Sequence, residues 1–295
     1  MPGEIPYFDE VAAVSGALAK ARVLFTDLDG TLLGLRSSLL VDSDGEPTLD
    51  AAAAIFELNR AGLSVVVTSG RNSRQLRELG RLLDWPDFIG ELGCVRSYDR
   101  GGRMEFDTGD WPQGVLLDGE TPYHAIERVG AVDLLMRMFP GKIEYHDPWH
   151  LDREVTHILR GNVPIAEAQA ALDELPIPIT VIDNGIIRPR LHGLVGVSEI
   201  HAIHLVPTGV SKERSVAAYL ANRGIAADEA LAIGDSAADI GMADTVGTMF
   251  CVANGLEDPL LLARARGRDN VFATRGMRGS GWAELARAWI AARQD

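Results

Sequence analysis

The stretch VLFTDLDGTLLG, residues 23–34, decides how the rest of the chain is read. It begins as a short apolar and β-branched run, the pattern of a strand buried on both faces. It then ends in two carboxylates two positions apart, Asp27 and Asp29, followed by Gly30 and Thr31. Burying an unpaired carboxylate costs several kcal/mol, so a cation must meet that charge.

Outward from this strand the pattern is regular. TLDAAAAIFELNRAG predicts an amphipathic helix closed by Gly62, and LSVVVTSG a second buried strand ending in Thr68, Ser69 and Gly70. RNSRQLRELGRLLDW predicts a second helix and DFIGELGCVRSY a third strand, so residues 21–98 read as the start of a doubly wound parallel α/β sheet. Between about 106 and 206 the rhythm changes. PYHAIERVGAVDLLMRMF and PIAEAQAALDEL read as helices, and KIEYHD, EVTHILRGN, IPITVIDN and GVSEIHAIHLV as strands, which is the pattern of an α+β insert with an antiparallel sheet. The α/β rhythm returns in KERSVAAYLANRG, a helix, and EALAIGD, another strand that ends in Gly234 and Asp235. The expected organisation is a catalytic core of residues 1–105 and 207–295, interrupted by a substrate-selecting insert of residues 106–206. The helix-like AAVSGALAKA before the first strand is expected to cover the sheet edge.

Composition narrows the partners. The 295 residues carry a net charge of -14, which disfavours nucleic acid and anionic membrane, since both require a basic footprint. Cys94 and Cys251 stand alone without a CxxC, so neither a disulfide framework nor a structural zinc site is expected. No stretch reads as a secretion signal or a membrane span, and the cytoplasm is the expected location. The expected partner is a small molecule; oligomeric state is not legible.

In open parallel sheets ligands bind beyond the carboxyl ends of the strands. Three such ends carry matching groups: Asp27 and Asp29, then Thr68, Ser69 and Gly70, then Gly234 and Asp235. Carboxylates converging there would repel one another unless a hard cation neutralised them, and oxygen ligands of this kind suit Mg²⁺ together with a substrate phosphate. Gly30, Thr31 and Gly70 shape loops whose backbone N–H groups can approach an anion. Lys212 offers a positive charge to a phosphoryl group and Ser69 a hydroxyl. Asp239, four residues after Asp235, is placed to anchor Lys212 or a metal-bound water.

DLDGT at 27–31, TSGR at 68–71, the lysine of GVSKERS and GDSAAD at 234–239 resemble, in order, the four motifs of the haloacid dehalogenase superfamily. The long insert between the second and third motifs resembles the C2B type of cap, as in the Cof-like, sucrose-phosphatase and mannosyl-3-phosphoglycerate-phosphatase branches. The resemblance implies that Asp27 is a nucleophile forming an aspartyl-phosphate and Asp29 the general acid and base. It implies Mg²⁺ at Asp27, at the Asp29 backbone carbonyl and at Asp235, with Asp239 beside them, and phosphate on Ser69 and Lys212. The implied activity is Mg²⁺-dependent hydrolysis of a small phosphorylated metabolite, a sugar phosphate or a phosphorylated hydroxy acid. A phosphomutase, or a non-catalytic phospho-ligand-binding or signalling module, would use the same scaffold.

One position departs from that family: Ala238 stands where Asn is common. Other residues have plain structural readings beside the functional ones. Ser69 could cap the helix near Arg71, Asn254 could contact the active-site acids or substrate or simply form the turn of ANG, and Glu91 and Arg71 could reach substrate or form a surface salt bridge. The seven histidines follow no zinc template and read as surface or core residues. Tyr145 and Trp149 beside His146 could line a sugar pocket or pack the insert.

Overall fold

The computed structural model describes residues 5–294. The first half of the core runs α1 (Ala12–Lys20), β1 (Val23–Thr26), α2 (Asp50–Ala61), β2 (Ser64–Thr68), α3 (Ser73–Leu83), β3 (Phe88–Gly90), β4 (Val95–Tyr98) and β5 (Arg103–Phe106). The middle of the chain forms α4 (Pro122–Arg128), α5 (Ala131–Met138), β6 (Ile143–Tyr145), β7 (His157–Gly161), α6 (Ile165–Leu172), β8 (Ile179–Ile187) and β9 (Ile200–Pro207). The chain closes with α7 (Lys212–Arg223), β10 (Ala230–Gly234), α8 (Ala237–Ile240), β11 (Thr248–Cys251), α9 (Pro259–Ala265), β12 (Val271–Ala273) and α10 (Arg278–Ala292).

Two sheets result. The larger has the order β12-β11-β10-β1-β2-β3-β4-β5, parallel from β12 through β3, with β4 and β5 added antiparallel at one edge. The smaller, β6-β7-β9-β8, is antiparallel throughout. This is an α/β protein with a doubly wound sheet and a second, α+β layer.

The apolar runs explain the central position of β1, β2 and β10. All four residues of β1 are buried, and successive side chains go to opposite faces. Leu24 packs with Val65, Val67, Leu231 and Trp282 under α1, α2 and α10, while Phe25 packs with Val66, Ala232 and Tyr219 under α7. Trp282 also donates its indole N–H to Thr26 Oγ1 at 3.0 Å, so this large ring is buried without an orphan donor. α2 stops at Gly62, which takes the left-handed conformation with φ 81° at the helix C-cap.

Several expectations need correction. The third strand is two strands, β3 and β4, because Glu91, Leu92 and Gly93 all take positive φ and reverse the chain. The long helix predicted over 122–139 breaks at Gly130, φ 76°, into α4 and α5. α1 packs against α10 on a face of the large sheet. The edge strand β12 is met by the residues just before α1, where Ala273 donates its N–H to the Pro6 carbonyl at 2.8 Å. Among the described residues no helix is long and apolar enough to cross a membrane.

Candidate active site

β1 lies between β10 and β2, the point where the chain order along the parallel sheet reverses. Strand ends splay apart at such a point and leave a crevice. Asp27 leaves β1 there, Ser69 and Gly70 leave β2, and Asp235 leaves β10.

One ammonium group organises the acids. Lys212, at the start of α7, places Nζ 2.7 Å from Asp27 Oδ1 and 2.6 Å from Asp239 Oδ1. Oxygens of Asp27, Asp235 and Asp239 lie within 4.8 Å of one another, a cluster able to hold a hard cation. Asp239 is the least available of the three. Its Oδ2 already accepts from Asp235 N, Ser236 N and Ser236 Oγ at 3.3, 3.0 and 2.6 Å, so it serves as a rigid anchor for Lys212. Asp235 accepts from Thr31 Oγ1 at 3.1 Å and Asn254 Nδ2 at 3.3 Å. Asn254 also donates to the Gly30 carbonyl at 2.9 Å and accepts from Arg278 N at 2.8 Å, joining three loops. Gly30, φ 93°, must remain glycine, because a Cβ there would lie 2.1 Å from Asp235 Oδ2.

Three carboxylates share a single lysine, and the charge balance shows it. Burial pushes the Asp27 carboxyl well above its ordinary range; the pull of Lys212 opposes this, and Asp239 and Asp235 add to the rise. Burial, then Asp239, raises Asp235 to about 6 against Thr31 and Lys212. Burial acts to lower the Lys212 pKa, but Asp239 and Asp27 overcome it and hold the ammonium charged.

Asp29 faces another way. Burial acts to raise its carboxyl, but hydrogen bonds and charge from Arg71, with a further bond from Ser37, bring it below the usual range. Arg71 binds it bidentately, Nε to Oδ2 at 2.9 Å and Nη2 to Oδ1 at 2.6 Å, and Ser37 Oγ donates at 2.5 Å. Ser69 is buried at the same wall, and its Oγ accepts from Arg71 N at 3.3 Å. The cap of α3 is Asn72, in a capping box with Gln75.

Above these groups opens a cavity of about 810 Å³, with Asp27, Ser69, Gly70 and Lys212 on its floor and His146, Trp149, Ile158 and His204 from the smaller layer on its roof. The two layers are bolted together beside the Ser69–Gly70 loop. Arg153, its side chain 1% exposed, donates from Nη2 to the Gly70 carbonyl at 2.7 Å and from Nε to Thr156 Oγ1 at 2.9 Å. Glu91, wholly buried, accepts from the backbone N–H groups of Glu154, Val155 and Thr156 and from Thr156 Oγ1, at 2.8 to 3.2 Å.

Most residues singled out from the sequence converge here, but several stand differently from expectation. Thr31 and Asn254 do not line the cavity; they brace Asp235 from behind. The Asp29 side chain lies outside the acidic cluster. Arg71 touches Asp29, and Glu91 is neither a surface salt-bridge partner nor at the cavity but a buried tie to the upper layer. Sequence reading missed Ser37, Arg153 and the placement of His204. Arg153 joins Gly70 across 83 residues of sequence, so no local pattern announces it.

Fold and site together define an α/β enzyme in which acids gather around a lysine on the floor of a cavity that a second, α+β layer covers. A haloacid dehalogenase-like hydrolase family model matches residues 186–267. The chain is 30% identical over 243 residues to a phosphoglycolate phosphatase of Methanospirillum hungatei, covering 80% of this chain and 86% of that one. It is 26% identical to a phosphoglycolate phosphatase of Methanococcoides burtonii, covering 82% and 88%. A crystal structure from Thermoplasma acidophilum shares the fold at TM-score 0.64 and 17% identity, covering 92% and 98%. The sucrose-phosphatase of Synechocystis, crystallised with sucrose and phosphate, does so at 0.58 and 15%, covering 92% and 98%. The chain belongs to the haloacid dehalogenase-like hydrolases, and it is a phosphatase of that type.

Proposed function

We propose that this phosphatase hydrolyses the monoester of a small phosphorylated metabolite, a sugar phosphate or a phosphorylated hydroxy acid, with Mg²⁺ and through an aspartyl-phosphate at Asp27. The observation that carries the reading is the Lys212 ammonium held between Asp27 and Asp239 on the cavity floor, with Asp235 alongside.

The donor set fits a hard cation. Two buried carboxylates and the half-buried Asp235 face one ammonium; among the described residues Asp27 Oδ2 accepts no hydrogen bond and each Asp235 oxygen accepts one, whereas Asp239 Oδ2 accepts three. Asp27 and Asp235 would hold Mg²⁺, which would screen the nucleophile from the anionic phosphate and polarise the phosphoryl oxygens. Asp239 would keep its present work on Lys212.

The chain's own residues supply the rest. Lys212 fixes Asp27 through Oδ1, leaving Oδ2 to attack phosphorus while the ester oxygen departs. That oxygen needs a proton, and Asp29 is the carboxyl nearest in sequence on the same loop. In the present geometry Asp29 is an ionised carboxylate clamped by Arg71. When Arg71 turns to the incoming phosphate, whose charge competes for the guanidinium, the unclamped Asp29 carboxylate takes up a proton from solvent and then passes it to the departing ester oxygen. In the second half of the cycle Asp29 takes a proton from water as that water attacks the aspartyl-phosphate, which restores Asp27 and releases inorganic phosphate. Ser69 and the Gly70 loop position the phosphoryl group.

Phosphate release from phenyl phosphate and a panel of phosphometabolites tests this reading. Chelation with EDTA is expected to abolish release and Mg²⁺ to restore it. Release indifferent to chelation would refute the metal, and transfer of the group to a second substrate position in place of release would make the enzyme a mutase.

A further inference from the structure

The roof of the cavity holds a feature that the phosphoryl chemistry does not use. His204, on β9, is 2% exposed and lines the cavity, yet among the described residues its Nδ1 has no hydrogen-bond partner. Its ring edge stands over the phosphate loop, with Cε1 3.7 Å from where a Cβ on Gly70 would lie. His146, also on the roof, has an equally unpartnered Nδ1. A buried polar atom left unpaired costs free energy; of the four histidines with an unpartnered Nδ1 among the described residues, His146, His150, His157 and His204, only His146 and His204 line the substrate cavity, where a ligand can meet their rings. Their neighbours on the roof, Ile158 and Ala202, are apolar.

The charge of the roof defines what that ligand presents. Burial, then the nearby Arg153 and His146, pushes His204 well below its ordinary pKa, and burial, then Arg160 and Arg153, lowers His146 to about 4. Both imidazoles are therefore uncharged at neutral pH, each with one donor and one acceptor nitrogen, a complement to a hydroxyl. The cations around the cavity and behind its roof are already paired with carboxylates: Lys212 with Asp27 and Asp239, Arg71 with Asp29, Arg153 with Glu91 and Arg160 with Glu144. Arg36 lines the cavity as well, but it is an exposed residue. A carboxylate pressed against this roof would be desolvated without a counter-charge.

Resting on the phosphatase reading above, we propose that His204, with His146 beside it, is the specificity-determining residue of this site. Its uncharged imidazole hydrogen-bonds a hydroxyl of the leaving group close to the phosphate ester, and so selects polyol phosphates over esters that carry a carboxylate in that place. The volume of the cavity, about 810 Å³, suits a leaving group larger than two carbons.

The test compares kcat/KM for glucose 6-phosphate, phenyl phosphate and 2-phosphoglycolate in the wild type, His204→Phe and His204→Gln. Sites built around a buried hydrogen bond discriminate strongly against ligands that cannot make it. His204→Phe is expected to lower the ratio of glucose 6-phosphate to phenyl phosphate by about tenfold or more, mostly through KM, and His204→Gln to recover part of it. A ratio that does not move, or a wild type that prefers 2-phosphoglycolate, overturns the proposal. A second measurement needs no turnover. In Asp27→Asn protein the His204 Cε1–H resonance, assigned by its loss in His204→Gln, should shift with glucose 6-phosphate and not with phenyl phosphate. If no ester is hydrolysed, the phosphatase reading falls while the resonance still decides the role of His204; a resonance indifferent to glucose 6-phosphate overturns it.

Discussion

The two layers of the molecule solve the burial of polar groups in opposite ways. At the floor of the cavity the core buries like charges together, three carboxylates around Lys212, and leaves them short of positive charge. At the roof the smaller layer holds His204 and His146, both kept neutral. On the proposed function, the floor would receive a cation and an anionic phosphoryl group, and the roof would contact what the phosphate is attached to. On that reading chemistry and selection would fall to different elements, which the Arg153–Gly70 and Glu91–Thr156 contacts join.

The comparison breaks most severely at Asp27. Asp27→Asn removes the proposed nucleophile, and losing a member of a catalytic unit commonly costs roughly three orders of magnitude or more in kcat. The fold should survive, because Lys212 keeps its bond to Asp239. Steady-state phosphate release from Asp27→Asn, with a melting curve as control, checks this, and near-normal turnover in a folded protein would remove Asp27 from the role of nucleophile.

The next effect concerns acid stability, where the floor and the far face of the smaller sheet, which looks away from the cavity, respond with opposite sign. Asp235, raised to about 6 in the metal-free protein, binds its proton more tightly when folded, so its strain is present above that pH and relaxes as the pH falls toward the unfolded carboxylate value near 4. His157 on β7 is the reverse case. Burial lowers it to about 4, against the Tyr123 carbonyl that its Nε2 contacts at 3.0 Å. The unfolded chain takes that proton first, so stability is full above pH about 6.5, falls as the pH drops toward 4 and levels off below. The His157 contribution is on the order of 3 kcal/mol across that window. His157→Gln keeps a donor for the Tyr123 carbonyl and should shrink, by about that amount, the stability lost between pH 7.5 and 4.5 with Mg²⁺ present. Urea unfolding at the two pH values decides it, and equal losses in variant and wild type would exclude this account of the cap.

How much of this was legible in the sequence follows the same division. The doubly wound arrangement and the acids of the floor were readable, because β1, β2 and β10 are apolar runs that each end in polar residues beside a glycine, and strand ends gather at one edge. The split into β3 and β4 was not, since positive φ at Glu91 and Leu92, residues that rarely adopt it, is imposed by tertiary contacts. Asn254 was open to a contact with the active-site acids, which its bond to Asp235 makes, whereas Thr31 read as part of a phosphate loop and not as a support of Asp235, because a motif fixes position along the chain and not the direction of a side chain. Of the seven histidines, none could be assigned to the roof until β7 and β9 were paired, Ile158 opposite His204. Such long-range pairings leave no mark in local periodicity.

The smallest expected effect sits where the chain departs from its family, at Ala238. A side-chain amide there would matter if it met a buried group lacking a partner. Ala238 is exposed at the rim of the cavity, near Asp235 and Ser236. The groups behind it are already paired: Lys212 has two carboxylates, and Asp239 Oδ2 has three donors. Ala238→Asn therefore adds at most a solvent-competed hydrogen bond, worth on the order of 1 kcal/mol, and only the share that strengthens in the transition state raises kcat. A change below about tenfold in kcat is expected, with any larger movement in the Mg²⁺ concentration needed for half-maximal activity, because Asp235 is the nearest group an added amide could reorient. Titrating Mg²⁺ against phosphate release in variant and wild type separates the two. A rate gain well beyond tenfold would mean that Lys212 and Asp239 are not the self-sufficient pair described here, and that the floor, like the roof, holds a group still waiting for its partner.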